Sequence, residues 1–307
     1  MPHNQLPMLL VALSIFILVA CGKSEAPVTS DTSVLVVKIG AAAPLTGPQA
    51  HIGKDNENGT RMAIEEANAK GVIIGGRKAH FELISEDDQA DPKNATIVAQ
   101  KLVDAKVNGV IGHLNSGTSI PASRIYRDNG IPQISPSATA VSYTAQGLKT
   151  AFRVMSSDGQ QGSALGEFAA NTLNAKKIAV IDDRSAYGQG LADEFIKSVQ
   201  ANGAQIVARE YTTDKAIDFA AVLTSIKGKR PDLLFFGGMD PQGIPMAKQL
   251  KALGLNVKFV MGDGGYTPKL IDLAGDAAEG IYASLPGVPL GQMPGGKDFS
   301  RRYEEKY

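Results

Sequence analysis

From Val34 onward the chain alternates short apolar runs with turns and amphipathic stretches. This is the pattern of parallel strands joined by crossover helices, because a parallel pair needs a long connection and strands covered on both faces read as continuous apolar runs. The pattern predicts a first series of strands at 35–42, 81–85, 110–111 and 132–135, and a second at 177–181, 205–211, 233–236, 259–261 and 281–284. Helices fall between them. One runs over 58–68 with Met62, Ile64 and Ala67 on one face, and one starts at Asp91-Pro92 and carries Ile97, Val98, Leu102 and Val103. Two more, at 188–202 and 242–253, are each followed by a glycine suited to a left-handed cap.

The two series meet near "FRVMSSDGQQG", 152–162, where a short apolar stretch gives way to polar residues and a new helix. The predicted fold class is therefore α/β, with two Rossmann-like lobes built on parallel sheets flanked by helices. Lobe 1 is placed at 35–155, lobe 2 at 156–285, and 286–307 is read as a return segment toward lobe 1. A ligand in such a fold belongs at the carboxyl ends of the strands, where the loops gather.

The N-terminal region changes the picture. "MLLVALSIFILVA", 8–20, is strongly apolar, shorter than the roughly 20 residues a membrane-spanning helix needs, and suited to the core of a signal peptide. "LVACG" follows, with small residues before Cys21, and resembles the bacterial lipoprotein signal although the first seven residues carry no Lys or Arg. On this reading 1–20 is a signal peptide, Cys21 is lipidated, and 21–34 is a polar tether. The other reading of Cys21 is a buried core thiol, and a disulfide within the chain is impossible because it is the single cysteine. The lipoprotein reading implies a periplasmic, lipid-anchored protein, with Gly22 in place of Asp favouring the outer membrane.

Charge narrows the classes further. The chain has 31 basic and 31 acidic side chains, so no general attraction to nucleic acid is expected. The four histidines, at 3, 51, 80 and 113, show no metal-ligand spacing. "HLNSG" lacks the first glycine of a nucleophile elbow, and no histidine follows His113 to serve as base for Ser116. "YGQGLAD" has no third glycine and no P-loop motif occurs. No catalytic group, cofactor or metal is expected.

What remains is a pair of hydroxyl-rich loops. "GHLNSGTSIPAS", 112–123, presents hydroxyls and amides at a helix start, where free N–H groups and the helix dipole favour an anion. "SPSATA", 135–140, repeats the arrangement after the next strand. Either loop alone is equally explained by N-capping of its helix. Two of them after adjacent strands point to a carboxylate cradle.

The chain resembles the leucine/isoleucine/valine-type binding proteins of ABC transporters, of the type I periplasmic binding protein fold. The resemblance covers 38–286 and rests on "GAAAPLTGPQAHIGKDNENGTRMAIEEANAKG", "GVIGHLNSGTSIPAS", "IPQISPSATA", "YGQGLADEF", "PDLLFFGG" and "AGDAAEGIY". It implies two lobes joined by a multi-strand hinge that close on an amino acid, and a monomer that delivers this ligand to an ABC permease. It implies that Ser116, Gly117, Ser137, Ala138 and Thr139 hold the α-carboxylate and α-amino group. It also implies that Tyr187 is an aromatic of the cleft and that Asp158 is an acid at the crossover between lobes. Since members of the family usually continue past the point where "KDFSRRYEEKY" stops, it implies that a C-terminal part is missing here.

Three positions depart from the family. Ile52 and Met239 stand where aromatics are expected, and the acid of the "MGDGGY" loop is displaced by one, to Asp263 beside Gly264. Ile52 and Met239 either soften an aliphatic pocket or fill core. If Asp263 cannot reach an α-ammonium, the ligand is not a simple amino acid, because an unpaired charge in a desolvated cleft costs several kcal/mol. The leading expectation is a solute-binding protein for a branched-chain or related small amino acid. The alternatives are a ligand sensor serving a receptor or regulator, and a binder of amides or other small carboxylates.

Overall fold

The structure, a computed structural model, describes Met1 and residues 34–307; the apolar segment 8–20, Cys21 and the tether lie outside the described residues. Two parallel sheets follow one another. The first holds β1 (Leu35–Ala43), α1 (Ala50–Lys70), β2 (Ile73–Ile74), β3 (Arg77–Asp87), α2 (Pro92–Asp104), β4 (Gly109–Gly112), α3 (Ser116–Asp128), β5 (Gln133–Ser135), α4 (Val141–Thr144) and β6 (Ala151–Arg153). Its strand order is β2-β3-β1-β4-β5-β6, all parallel except the β2–β3 hairpin.

The second unit holds α5 (Asp158–Glu167), β7 (Lys177–Asp182), α6 (Ala186–Ala201), β8 (Gln205–Tyr211), α7 (Ala220–Gly228), β9 (Leu233–Gly237), α8 (Asp240–Ala252), β10 (Lys258–Met261), α9 (Pro268–Ala274) and β11 (Ile281–Ala283). Its order is β11-β10-β9-β7-β8. The run "LLFFG" of β9 is buried at every position because the strand lies between β10 and β7 and helices cover both of its faces. Leu233 and Phe235 point toward α5 and α6, where Phe235 stacks on Phe195 at 4.1 Å between ring centroids. Leu234 and Phe236 point to the other side, with Leu223, Ile226 and Met246.

In the first lobe Val98, Leu102, Val110 and Tyr126 form the core between the sheet and α2 and α3. The opposite side is more open: Ile134, Phe152 and Val154 are exposed, and a cleft of about 610 Å³ lies between the sheet, α1 and Phe299 of α10 (Gly296–Lys306). α10 lies on α1 through Arg302–Glu66, Lys306–Glu65 and Tyr303–Asp55. The chain passes between lobes at 154–157 and 284–289, where the Ser156 N–H donates to the Pro286 carbonyl at 3.0 Å.

Several boundaries differ from the sequence expectation. α1 begins at Ala50 instead of 58, because its first turns are held by contacts invisible in the polar pattern: Gly53 packs against the Pro44 carbonyl so closely that a Cβ has no room. α7 had no counterpart among the expected helices, although Leu223 and Ile226, one turn apart, are its buried face.

Candidate functional site

Loops from the carboxyl ends of β1, β4, β5, β7, β9 and β10 converge between the lobes, as the parallel topology requires. Serine hydroxyls tie the two loops of the first lobe together. Ser135 donates to the His113 carbonyl at 2.7 Å and accepts from Ala138 N–H at 2.8 Å. Ser137 donates to the Leu114 carbonyl at 2.9 Å, and Ser116 accepts from Ala140 N–H at 3.1 Å, which leaves the Ser116 proton to donate elsewhere. Arg153 adds bonds to the carbonyls of Ala138 and Ala140, at 3.1 and 2.9 Å.

α3 has no side-chain cap. The Asn115 amide donates instead to Gln49 Oε1 at 2.8 Å, so no side chain occupies the first-turn N–H groups. That is the condition under which a helix N-terminus can receive an anion.

On the second lobe Tyr187, the second residue of α6, donates its hydroxyl to Asp263 Oδ1 at 2.8 Å and accepts from Gly264 N–H at 3.0 Å. Gln161 Oε1 accepts from the Asp263 N–H at 3.0 Å, and Gln161 Nε2 donates to Asp158 Oδ1 at 3.3 Å. Asp158 N–H in turn donates to the Thr139 carbonyl at 2.8 Å. A chain of polar contacts thus runs beneath the cleft from lobe 1 to the acidic loop of lobe 2. Thr139 Oγ1 and Asp158 Oδ2 are both buried and neither completes a hydrogen bond among the described residues, although the hydroxyl lies close enough to favour the ionised carboxyl.

Two acids therefore sit close together in a poorly solvated place. Burial pushes the Asp158 carboxyl up to about 7, with the Asp263 charge adding to the rise and Thr139, Gln161 and Arg153 opposing it. Burial also raises Asp263, against its bonds from Tyr187 and Gln161. Such a pair favours the arrival of a cation.

The cavity between these walls measures about 100 Å³ and is lined by Ile52, Leu114, Asn115, Ser116, Ser137, Tyr187, Met239, Asp263, Gly264, Tyr266 and Thr267. Of the ten ligand residues expected from sequence, six line it: Ile52, Ser116, Ser137, Tyr187, Met239 and Asp263. Gly117 lines the neighbouring polar cleft of about 400 Å³, together with Gln49, Asp183 and Arg184. Ala138, Thr139 and Asp158 lie behind the wall, the backbone N–H and carbonyl of Ala138 both taken by Ser135 and Arg153. The displaced acid has a steric explanation, since a Cβ at Gly264 would stand 2.7 Å from both the Gly238 carbonyl oxygen and Met239 Sδ.

His113, considered as a base for Ser116, is fully buried with both ring nitrogens engaged, Nδ1 with Asp88 at 2.6 Å and Nε2 with Tyr126 at 3.1 Å. Residues that sequence reasoning did not single out include Asn115, Tyr266, Thr267 and Gln161. Thr267-Pro268 does carry a signal, a helix cap followed by proline, but it marks a helix start and not a cavity wall.

Residues 36–307 match the family described as periplasmic binding protein. The chain is 39% identical over 253 residues to Leu/Ile/Val-binding protein homolog 1 of Brucella abortus, an alignment covering 82% of this chain and 67% of that protein. It is 38% identical over 250 residues to the leucine-, isoleucine-, valine-, threonine- and alanine-binding protein of Pseudomonas aeruginosa, covering 81% of this chain and 66% of that one. The chain thus spans about two thirds of the length of these relatives. Among solved structures it is similar to the leucine-binding protein LivK of Thermotoga maritima, with a TM-score of 0.82, 30% identity, and coverage of 88% of this chain and 76% of that one. It is also similar to the branched-chain amino acid transporter substrate-binding protein LivJ of Streptococcus pneumoniae in complex with isoleucine, with a TM-score of 0.78, 29% identity, and coverage of 89% and 77%.

Proposed function

Because the chain belongs to the periplasmic binding protein family, we propose that it is an extracytoplasmic, non-enzymatic solute-binding protein that takes a branched-chain or related small apolar amino acid and delivers it to an ABC permease. The observation that carries this reading is the opposition of two chemistries across one small cavity. Ser116, Ser137 and the uncapped start of α3 offer donors on one lobe, and Asp263, steadied by Tyr187, offers a carboxylate on the other. An α-amino acid is a dipole of that size and sense.

The carboxylate of the ligand is assigned to the first lobe, its ammonium to Asp263, and its side chain to Ile52, Leu114 and Met239. Thr139 and Asp158 act from behind the wall, holding the loops and adding negative potential. A dissociation constant near one micromolar corresponds to about 8 kcal/mol. Burying an aliphatic side chain supplies about 2 to 3 kcal/mol of this, and the charge-assisted bonds supply the rest. Closure of the lobes around the ligand presents a surface for the permease.

The reading includes a monomer anchored through a lipid on Cys21, on the periplasmic side and preferentially at the outer membrane; its support is the apolar run and small residues preceding that cysteine. Calorimetric titration of the protein with L-leucine, L-isoleucine, L-valine and D-leucine tests the ligand assignment, with saturable binding of the L-forms expected. No heat and no thermal stabilisation with any L-form would end it. Radiolabelled palmitate, incorporated by wild type and not by Cys21→Ser, tests the anchor.

A further inference from the structure

Outside the cavity wall, one side-chain pair bridges the two lobes directly. His51, in the first turn of α1, places Nε2 2.7 Å from Oδ2 of Asp240, the first residue of α8. The same oxygen accepts the Thr267 hydroxyl at 2.8 Å, and Thr267 caps α9 by accepting Leu270 N–H at 3.1 Å. The Asp240 side chain has no exposure, whereas that of His51 is 26% exposed. Neither residue lines the 100 Å³ cavity, but each adjoins one that does: His51 precedes Ile52, and Asp240 follows Met239.

We propose that His51 and Asp240 form a clasp between the lobes that sets ligand affinity through the population of the closed state, without touching the ligand. This rests on the reading of the cleft as an amino-acid site. Asp240 is a fully buried acid at a helix start; its Oδ2 meets a residue of the other lobe only while the lobes are together, and its Oδ1 completes no hydrogen bond among the described residues. Separation of the lobes breaks the His51 contact and leaves Asp240 its bond within lobe 2 to Thr267. The clasp therefore belongs to the closure equilibrium, and the apparent affinity scales with the fraction of molecules able to close.

A clasp of this kind has a signature that a ligand contact lacks. Its loss weakens every ligand by a common factor, because the ligand side chain never meets it. A hydrogen bond to a charged group that forms on closure, once removed by substitution, corresponds to a drop in affinity of about tenfold.

The test uses the full chain as wild type, His51→Ala, Asp240→Ala and the double variant. Calorimetry with L-leucine, L-isoleucine and L-valine is expected to give about tenfold weaker binding in either single variant, the same factor for all three amino acids, and no further loss in the double variant. Amide hydrogen exchange of the ligand-free proteins is expected to speed up at 50–53 and 265–270 while β7 and β9 keep their protection. Factors that differ among the three ligands, additive losses, or unchanged exchange in these segments would overturn the clasp. His51→Ala decides the matter alone if Asp240→Ala does not fold, since the imidazole is partly exposed. If the wild type binds none of the amino acids, the functional reading fails, and exchange in the ligand-free chain still decides the clasp.

Discussion

The Tyr187 hydroxyl donates to Asp263 Oδ1 at 2.8 Å while accepting from Gly264 N–H at 3.0 Å, so one phenol holds the acidic loop of the second lobe from both sides. Tyr187→Phe leaves a buried N–H and a carboxylate each short of a partner. Binding of L-isoleucine is expected to weaken about ten- to a hundredfold, from the roughly 1.5 to 3 kcal/mol of a hydrogen bond to a charged group. Calorimetric titration measures this; unchanged affinity would remove Asp263 from the ligand site.

The position of the acid is a second test. Asp263→Asn removes the only carboxylate that the described residues place on the cavity wall, and an α-ammonium then loses its charge partner, with affinity expected to fall about a hundredfold. Moving the acid one residue, in the double variant Asp263→Gly with Gly264→Asp, is expected not to restore binding. A Cβ at 264 meets the Gly238 carbonyl oxygen and Met239 Sδ, and overpacking of this kind costs about 1 to 3 kcal/mol. Recovery of wild-type affinity would refute the steric account.

Proton linkage follows from the raised carboxyls. Asp158 titrates near 7 in the folded chain against 3.8 for the free side chain, so between these values the folded state holds a proton the unfolded chain has released. Stability contributed by this group is therefore present at low pH and lost as pH rises toward 7, on the order of 4 kcal/mol at about 1.4 kcal/mol for each pH unit. The difference in melting temperature between Asp158→Asn and wild type is expected to widen in favour of the variant from pH 5 to pH 8. An arriving ammonium favours the ionised carboxyls, so binding near pH 6 to 7 is expected to release protons. Calorimetry in buffers of different ionisation enthalpy reads their number, and proton uptake would contradict the ammonium assignment.

Ser116→Ala removes the acceptor of Ala140 N–H and a donor on the cavity wall. A loss of about 1 to 2 kcal/mol in stability is expected, together with at least fivefold weaker ligand binding. Thermal unfolding and titration separate the two. Ester turnover in the wild type that vanishes in this variant would favour an enzyme over a binding protein.

His113 stands beneath the first lobe's loops, held between Asp88 and Tyr126, and all three are buried. His113→Ala leaves Asp88 and Tyr126 without this partner and opens a void, for an expected loss of about 3 to 5 kcal/mol. Tyr126→Phe, which keeps the ring, is expected to cost about 1 to 2 kcal/mol. Chemical denaturation of both variants measures the difference, and equal losses would mean that the polar contact, not the void left by the imidazole, dominates.

Much of the architecture was legible because burial in parallel sheets leaves a plain mark on the chain. The run 233–236 reads as a strand covered on both faces, and it lies inside its sheet between β10 and β7. Asp91-Pro92 reads as a helix start, and Asp91 caps α2 there by accepting the Asn94 N–H. The start of α1 was not legible, because Lys54, Asp55, Asn56 and Glu57 carry no apolar periodicity and the turns before Asn58 are kept by contact with Pro44 and, through His51, with the other lobe. The hydroxyl loops were legible as chemistry but not as a mechanism. Their serines serve largely to fasten one loop to the other.

Taken alone, the sequence determined the α/β class, the two lobes and the family, and it marked the hydroxyl-rich loops, since each depends on periodicity, caps and residue type along a continuous stretch. It left open whether Asp263 reaches the cleft, that Thr139 and Asp158 stand behind the wall, and that His51 meets Asp240. These are distances between residues from about 20 to nearly 200 positions apart, set by how far two lobes approach. Only packing decides them, because a side chain's partner across a cleft is chosen by the folded backbone and not by its neighbours in the chain.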